Sequence, residues 1–223
     1  FQSIPFVKKN SFCRLLWLQF FKRSPLNLSK ITGVKKGYNA KGLGLFLSGY
    51  CNLYKKEKTG ENLNKILYLI DLIKNNQTRG YSGACWGYNF DWQARAFFQP
   101  KGTPSVVVTS YVACGLLDAY ELIQDEDLLK IARSACNFIM QDLNRSNETD
   151  GTICFSYSPL DNTQVYNASL LGGRLLSRVY KHTKEKLLIE TARKTVQYVC
   201  NNQNEDVYIR IKKYLEMIVF LLI

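Results

Sequence analysis

Apolar positions recur at helical spacing along most of this chain. Between residues 127 and 142 they fall at Leu128, Ile131, Ala132, Ala135 and Ile139, which is the i, i+3, i+4, i+7 pattern of an amphipathic α-helix. Similar patterns predict helices over 40–54, 62–76, 109–123, 127–142, 164–181 and 186–202. No strong alternation of apolar and polar residues occurs, and the valine run 106–108 is too short to predict a sheet. The pattern therefore predicts an all-α fold.

The predicted helices form a repeat of about sixty residues. In each pair the first helix ends at a tyrosine and the second at a glutamine, and these residues are separated by 23, 21 and 23 positions in the three pairs. Such a period is typical of stacked helical hairpins. The first helices are rich in glycine, alanine and serine, which allow close packing in an inner ring. We therefore predict an incomplete α/α toroid of about three antiparallel hairpins.

Two long loops, 78–108 and 142–165, each follow the second helix of a hairpin. Consecutive antiparallel pairs place such loops at the same end of the array. The first loop contains GACWGYNFDWQARAFFQPKGTPS (83–105), in which aromatic and polar residues alternate with glycine and proline. Its rings must be buried, and a buried polar group left unpaired costs about 1–3 kcal/mol. We interpret this block as the lining of a pocket.

Positive charge is concentrated near the N-terminus. Residues 1–58 hold 12 Lys/Arg and one acid, Glu57, whereas residues 59–223 hold 18 Lys/Arg and 17 acids. The excess indicates either a solvated basic face or peripheral contact of residues 1–58 with an anionic membrane. No nucleic-acid-binding motif accompanies the charge, so no nucleic-acid partner is predicted.

The seven cysteines include no C-x-x-C pair. Unpaired, buried thiols are typical of a reducing compartment, and we predict a cytoplasmic protein. Without paired ligands no metal site is predicted, and no cofactor either.

Composition divides the chain into three parts. Residues 1–35 form a basic N-terminal segment, residues 36–206 hold the toroid repeats, and residues 207–223 are a tail that breaks the repeat. The start at Phe1 and the abrupt change after Asp206 indicate a fragment with a shifted reading frame near its end.

Two segments carry a resemblance to a known group of proteins. CWGYNFDWQARAFFQPKGTPSVVVTSYVA (85–113) and SYSPLDNTQVYNASLLGGRLL (156–176) resemble an uncharacterised bacterial α/α-toroid family whose members occur near surface-polysaccharide genes. The helical layout is similar to six-hairpin glycosidases and polysaccharide lyases. The turns NNQTRGY and QNED resemble, in degenerate form, those of terpenoid cyclases and prenyltransferases.

The resemblance covers roughly residues 22–206 and implies a carbohydrate-active or glycan-binding toroid of surface-polysaccharide metabolism. Its partner would be a glycan or glycolipid, and any catalysis would be of the glycoside hydrolase or polysaccharide lyase type. The alternatives are an isoprenoid-binding, cyclase-like toroid and a non-catalytic helical scaffold. A pocket with convergent Asp, Asn and Arg would favour the glycan hypothesis. An all-apolar interior would favour the isoprenoid hypothesis, and a fully packed interior would favour the scaffold.

Two carboxylates are the candidate catalytic residues, Asp91 in the first loop and Asp161 in the second. A pair of carboxylates across a cleft acts as acid and base on a glycosidic bond. The alternative is that Asp91 pairs with Arg95 and that Asp161 caps a turn or helix.

The candidate substrate-binding residues are aromatic rings for stacking on sugars and polar groups for binding hydroxyls or a sugar carboxylate. They are Trp86, Tyr88, Asn89, Trp92, Arg95, Lys101, Asn162 and Tyr166. The rings have an alternative role as anchors of the loop in the core. Gly102 and the helix start after it either hold an anion or form a simple turn. His182, the single histidine, is expected to be an exposed loop residue.

Overall fold

The structure, a computed structural model, describes residues 7, 9–28, 32, 36–93, 98–146 and 148–203. Its helices are α1 (Ser11–Arg23), α2 (Ala40–Lys56), α3 (Gly60–Asn75), α4 (Val106–Ile123), α5 (Glu126–Asn137), α6 (Tyr166–Thr183) and α7 (Lys186–Asn201). A π-helical turn, Phe138–Asp142, extends α5. The strands β1 (Trp92–Gln93) and β2 (Phe98–Gln99) form a small antiparallel pair. The predicted all-α class is confirmed.

The helices pair as three antiparallel hairpins, α2 with α3, α4 with α5, and α6 with α7. The first helices of successive hairpins also pack on one another, α2 on α4 and α4 on α6. These three helices form an inner layer, and α3, α5 and α7 form an outer layer. This is the arrangement predicted from the repeat. The tail 207–223 lies outside the described residues.

Small residues allow the inner helices to approach closely. A Cβ atom built on Gly44 of α2 would lie 2.8 Å from the carbonyl oxygen of Tyr111 in α4, and one built on Gly115 would lie 2.7 Å from the carbonyl oxygen of Gly44. Neither position therefore accepts a side chain without moving a backbone. The expected role of glycine in the first helices is confirmed at this contact.

Two helix boundaries differ from the prediction by three or more residues, because tertiary packing overrides local preference. Helix α4 begins at Val106, three residues early, since Ser105 Oγ accepts a hydrogen bond from the Val108 N–H and the following valines are buried. Burial on both sides outweighs the weak helix preference of β-branched residues. The predicted helix 127–142 ends as regular α-helix at Asn137 and continues as the π-helical turn.

The core is formed by the apolar faces of the hairpins. Helix α4 has the length and apolar composition of a membrane span, but 67% of it is buried within the protein, as in the central helix of a core. All seven cysteines are free thiols, and five of them are buried. Burial raises the pKa of Cys51 and of Cys136 to about 12, so these thiols act as small apolar side chains.

Candidate functional site

The loops 76–105 and 143–165 meet at one end of the array, and we call their joint surface the mouth. The Val106 N–H donates to the carbonyl oxygen of Tyr157, at 3.0 Å. The rings of Trp92 and Tyr157 lie 5.1 Å apart between centroids. Residues more than sixty positions apart in sequence thus form one surface, as up-down topology requires.

An aromatic patch occupies the mouth. Tyr88 stacks on Phe90 with ring centroids 5.2 Å apart, and Trp92 contacts Tyr88 edge to face at 5.7 Å. Phe90 is 42% exposed, while Tyr88 and Trp92 are partly buried. Tyr157, which contacts Trp92, is buried, and burial raises the pKa of its hydroxyl. Packing holds Tyr88 and Trp92 in place, and Phe90 is the accessible ring of the patch. Phe90 was not among the predicted binding residues. The alternation of rings at 88, 90 and 92 was the available signal.

Trp86 does not belong to this accessible patch. Its side chain is completely buried, its indole N–H donates to the carbonyl oxygen of Ile73 at 2.9 Å, and its backbone N–H donates to Thr109 Oγ1. Both ring faces are covered by protein, so the predicted stacking of Trp86 on a sugar does not fit this geometry. The buried indole anchors the loop to the core, which is the alternative role given for this ring.

Asp91 lies between Phe90 and Trp92 in the sequence and keeps one carboxylate oxygen available. Its Oδ1 accepts a hydrogen bond from the Lys101 N–H at 2.7 Å, and no other described residue donates to the carboxylate. Lys101 is exposed. The adjacent Asn89 has a buried side-chain oxygen, Oδ1, without a hydrogen-bond partner among the described residues. Arg95, a candidate substrate-binding residue and in the alternative view the partner of Asp91, lies outside the described residues.

The Pro100–Thr103 segment is a simple turn. Gly102 has φ 82° and its N–H donates to the carbonyl oxygen of Tyr88 at 2.8 Å. A Cβ on Gly87 would lie 2.3 Å from the carbonyl oxygen of Thr103, so the loop closes only with glycine there. Because the Gly102 N–H already has an acceptor and Ser105 caps the following helix, this geometry fits the turn rather than the anion site.

Asp161 organises the second loop. Its carboxylate accepts hydrogen bonds from the N–H and hydroxyl groups of both Ser158 and Thr163, and from the Tyr157 N–H at 3.3 Å. Five donors occupy both oxygens, so proton transfer to a substrate would first break this set. The geometry fits the turn-capping alternative for Asp161.

A small polar pocket adjoins the Asp161 turn. It has a volume of about 250 Å³. Polar side chains and one cysteine line it: Asn144, Arg145, Ser146, Cys154, Ser156, Asn162, Thr163 and Gln164. Arg145 is exposed and makes no salt bridge within the described ranges, so its positive charge is available beside the hydroxyl and amide groups of the pocket. Of the predicted residues, Asn162 lines this pocket. Tyr166 packs edge to face on Tyr198, 5.8 Å between centroids, in the first turn of α6.

A charged network joins the inner helices near their other end. Ser48 Oγ donates to Asp118 Oδ2 at 2.5 Å, Arg178 Nη2 lies 2.8 Å from Asp118 Oδ1, and His182 Nε2 lies 3.2 Å from Glu121 Oε1. His182 belongs to the last turn of α6 and is mostly buried, so its prediction as an exposed loop residue is wrong. The first three residues of KHTKEK, 181–183, form the last turn of α6, where cations are favoured, and Lys184 ends the helix in a left-handed conformation.

A larger groove of about 780 Å³ runs between α6 and α7. Apolar residues such as Ile189 and Val196 line it together with the cations Lys181, Lys184 and Arg193. None of the predicted site residues lines this groove, so size alone does not identify the site. The convergence of aromatic, acidic and amide groups favours the mouth.

The sequence matches no protein-family model and no curated protein. Solved structures resemble the fold. An inactive variant of an α-1,6-mannanase from Salegentibacter sp., in complex with α-1,6-mannotetrose, aligns with a TM-score of 0.56 at 13% identity, over 88% of this chain and 56% of the mannanase. A glycoside hydrolase family 76 α-mannanase of Bacteroides thetaiotaomicron aligns with a TM-score of 0.53 at 15% identity, over 74% and 45%. The cellobiose 2-epimerase of Bacillus thermoamylovorans aligns with a TM-score of 0.52 at 12% identity, over 71% of this chain and 43% of the epimerase.

These three proteins are six-hairpin α/α toroids. The chain spans about half the length of each solved structure that it resembles. At this identity the likeness concerns the fold. The described helices therefore form three hairpins of an incomplete α/α toroid.

Proposed function

We propose that the mouth binds a glycan and that this chain belongs to a carbohydrate-active toroid. The observation that carries the proposal is the partly exposed patch of Tyr88, Phe90 and Trp92, together with the carboxylate of Asp91, which follows Phe90 in the same loop. One oxygen of this carboxylate has no donor among the described residues. Rings offer apolar faces to sugar rings, and the carboxylate accepts hydrogen bonds from hydroxyl groups. The fold neighbours support this choice, because one of them was solved with a bound mannan oligosaccharide.

The polar pocket extends the proposed site. Tyr157 links the two parts, since its ring contacts Trp92 and its N–H donates to Asp161. A glycan lying over the patch would reach hydroxyl and amide groups in the pocket. The guanidinium of Arg145 suits an acidic sugar, which agrees with the resemblance to a family near surface-polysaccharide genes. A surface polysaccharide with acidic units is therefore the proposed ligand.

Within this proposal Asp91 is the residue for acid or base chemistry, and Asp161 positions the loop. The solved mannanase variants were inactivated at two adjacent aspartates, and this sequence contains no two adjacent aspartates. We therefore propose glycan binding as the primary activity. The charged network between Ser48, Asp118 and Arg178 counts against the isoprenoid alternative, because that alternative needs an apolar interior.

Titration of the full chain with neutral and acidic oligosaccharides tests the proposal. We expect Trp92→Ala and Asp91→Asn each to weaken binding at least tenfold, about 1.4 kcal/mol. The matched controls are Phe46→Ala and Glu61→Gln, which change an exposed ring on α2 and an exposed acid in the first turn of α3, both outside the mouth loops. Circular dichroism checks that each variant folds.

Each outcome has a distinct meaning. Absence of binding by the wild-type chain to every oligosaccharide contradicts the proposal. Unfolding of both mouth variants, with folded controls, makes the aromatic block structural and supports the scaffold alternative. Tighter binding of acidic than neutral glycans, reduced by Arg145→Gln, supports the acidic ligand.

A further inference from the structure

We propose that helix α1 docks on an anionic lipid surface through Phe12, Leu16 and Phe20. These residues are spaced by four positions, which places them along one side of the helix. Their side chains are 65%, 54% and 58% exposed, and no residue of α1 is buried. The stripe is thus an apolar surface that the described protein does not cover. This inference is independent of the proposed glycan binding.

The other side of α1 is attached to the protein. Arg14 Nε donates to Gln93 Oε1 at 2.6 Å, and the Arg14 guanidinium lies 4.4 Å from the ring centroid of Phe98. At 100° per residue, Arg14 lies about 160° from the centre of the stripe. The attachment to β1 and β2 therefore directs Phe12, Leu16 and Phe20 away from the body of the protein.

The positive charges at the ends of α1 indicate that the surface it docks on is anionic. Lys9 precedes the helix, Lys22 and Arg23 end it, and the first turn contains no acid. Residues 1–58 together hold 12 Lys/Arg and one acid. A helix with exposed apolar residues on one side and cations at both ends can lie at the boundary between acyl chains and anionic headgroups. Nucleic acid would pair with the cations but would leave the apolar stripe in water.

Cosedimentation of the full chain with lipid vesicles tests the inference. The vesicles are pure phosphatidylcholine or phosphatidylcholine mixed with anionic phosphatidylglycerol. Each Lys or Arg near an anionic surface strengthens binding about fivefold. We expect the wild-type chain to bind the anionic vesicles, and Phe12→Ser/Leu16→Ser/Phe20→Ser to lower the partition coefficient at least tenfold.

The chain offers a matched control on α2. Phe46, Leu45 and Leu53 are 65%, 49% and 50% exposed, so their replacement by serine removes a similar apolar area elsewhere. We expect this control triple variant to bind anionic vesicles as the wild type does. Lys22→Gln/Arg23→Gln should weaken binding to anionic vesicles and flatten its salt dependence.

Other results overturn the inference. Equal loss of binding in both triple variants would mean that apolar area anywhere suffices. Binding that persists in the α1 triple variant would assign the contact to charge alone. Failure of the wild type to bind anionic vesicles, or equal binding to neutral ones, would remove the anionic membrane as partner.

Discussion

Replacing Gly44 by alanine tests whether the contact between α2 and α4 holds the inner layer together. The new Cβ would lie 2.8 Å from two backbone atoms of α4, the carbonyl oxygen of Tyr111 and the Cα of Val112. Overpacking of this kind costs about 1–3 kcal/mol, because no flexible side chain can move aside. Alanine in a helix interior recovers about 1 kcal/mol relative to glycine. The net effect is a destabilisation between zero and about 2 kcal/mol.

Gly49 provides the matched control in the same helix. A Cβ on Gly49 meets no atom within 4 Å, so Gly49→Ala carries the propensity gain without the clash and should stabilise by about 1 kcal/mol. The difference between the two variants then measures the clash alone. With a urea m-value of about 1–3 kcal/mol/M, a gap of about 2 kcal/mol separates the midpoints by roughly 1 M.

Urea denaturation followed by circular dichroism measures both midpoints. Unchanged m-values would show that the variants differ in stability and not in the extent of unfolding. If Gly44→Ala is as stable as Gly49→Ala, the close approach of α2 and α4 does not exist in solution, and our account of the inner layer is refuted.

Two further predictions concern titratable groups. The hydrogen bond from Arg133 lowers the pKa of Glu185; the pair therefore stabilises the fold above the ordinary glutamate pKa, and this contribution is lost as pH falls through the lowered value. Arg133→Gln should lower the thermal unfolding midpoint at pH 7. Below pH 4.5 the midpoint of the variant should decrease less steeply with falling pH than that of the wild type, and an unchanged dependence of the midpoint on pH would contradict the pairing. Burial raises the pKa of Cys85 to about 12, so mass spectrometry should find Cys85 unmodified by iodoacetamide at pH 8 while the partly exposed Cys13 is labelled; equal labelling would refute the burial.

Local patterns predicted the helices well because each hairpin has a clear apolar face. The predicted helix 40–54 corresponds to Ala40–Lys56, and 186–202 to Lys186–Asn201. The start of α4 was missed because it depends on the acceptor that Tyr157 provides to the Val106 N–H, a contact between distant segments. The helical state of His182 was missed because a run of charges looks the same in a loop and in a final helical turn.

The candidate site was only partly predictable. Up-down topology correctly indicates that two distant loops meet, which the contact of Trp92 with Tyr157 shows. Side-chain orientation was not predictable: Trp86 and Phe90 have similar sequence surroundings, yet one is buried and the other exposed. Composition alone also does not separate a carboxylate that organises a turn, Asp161, from one with an available oxygen, Asp91. Tertiary hydrogen bonds make that distinction.

The contact of Arg14 with Gln93 and Phe98 fixes the position of α1 relative to the mouth. The same β1–β2 arm carries Trp92 and follows Asp91 directly. In the membrane-bound state that we propose, α1 would therefore act as a spacer about one helix diameter thick, roughly 10–12 Å. The mouth would lie at a fixed height above the lipid headgroups. A lipid-linked chain would then reach the mouth only if it were long enough to span that height.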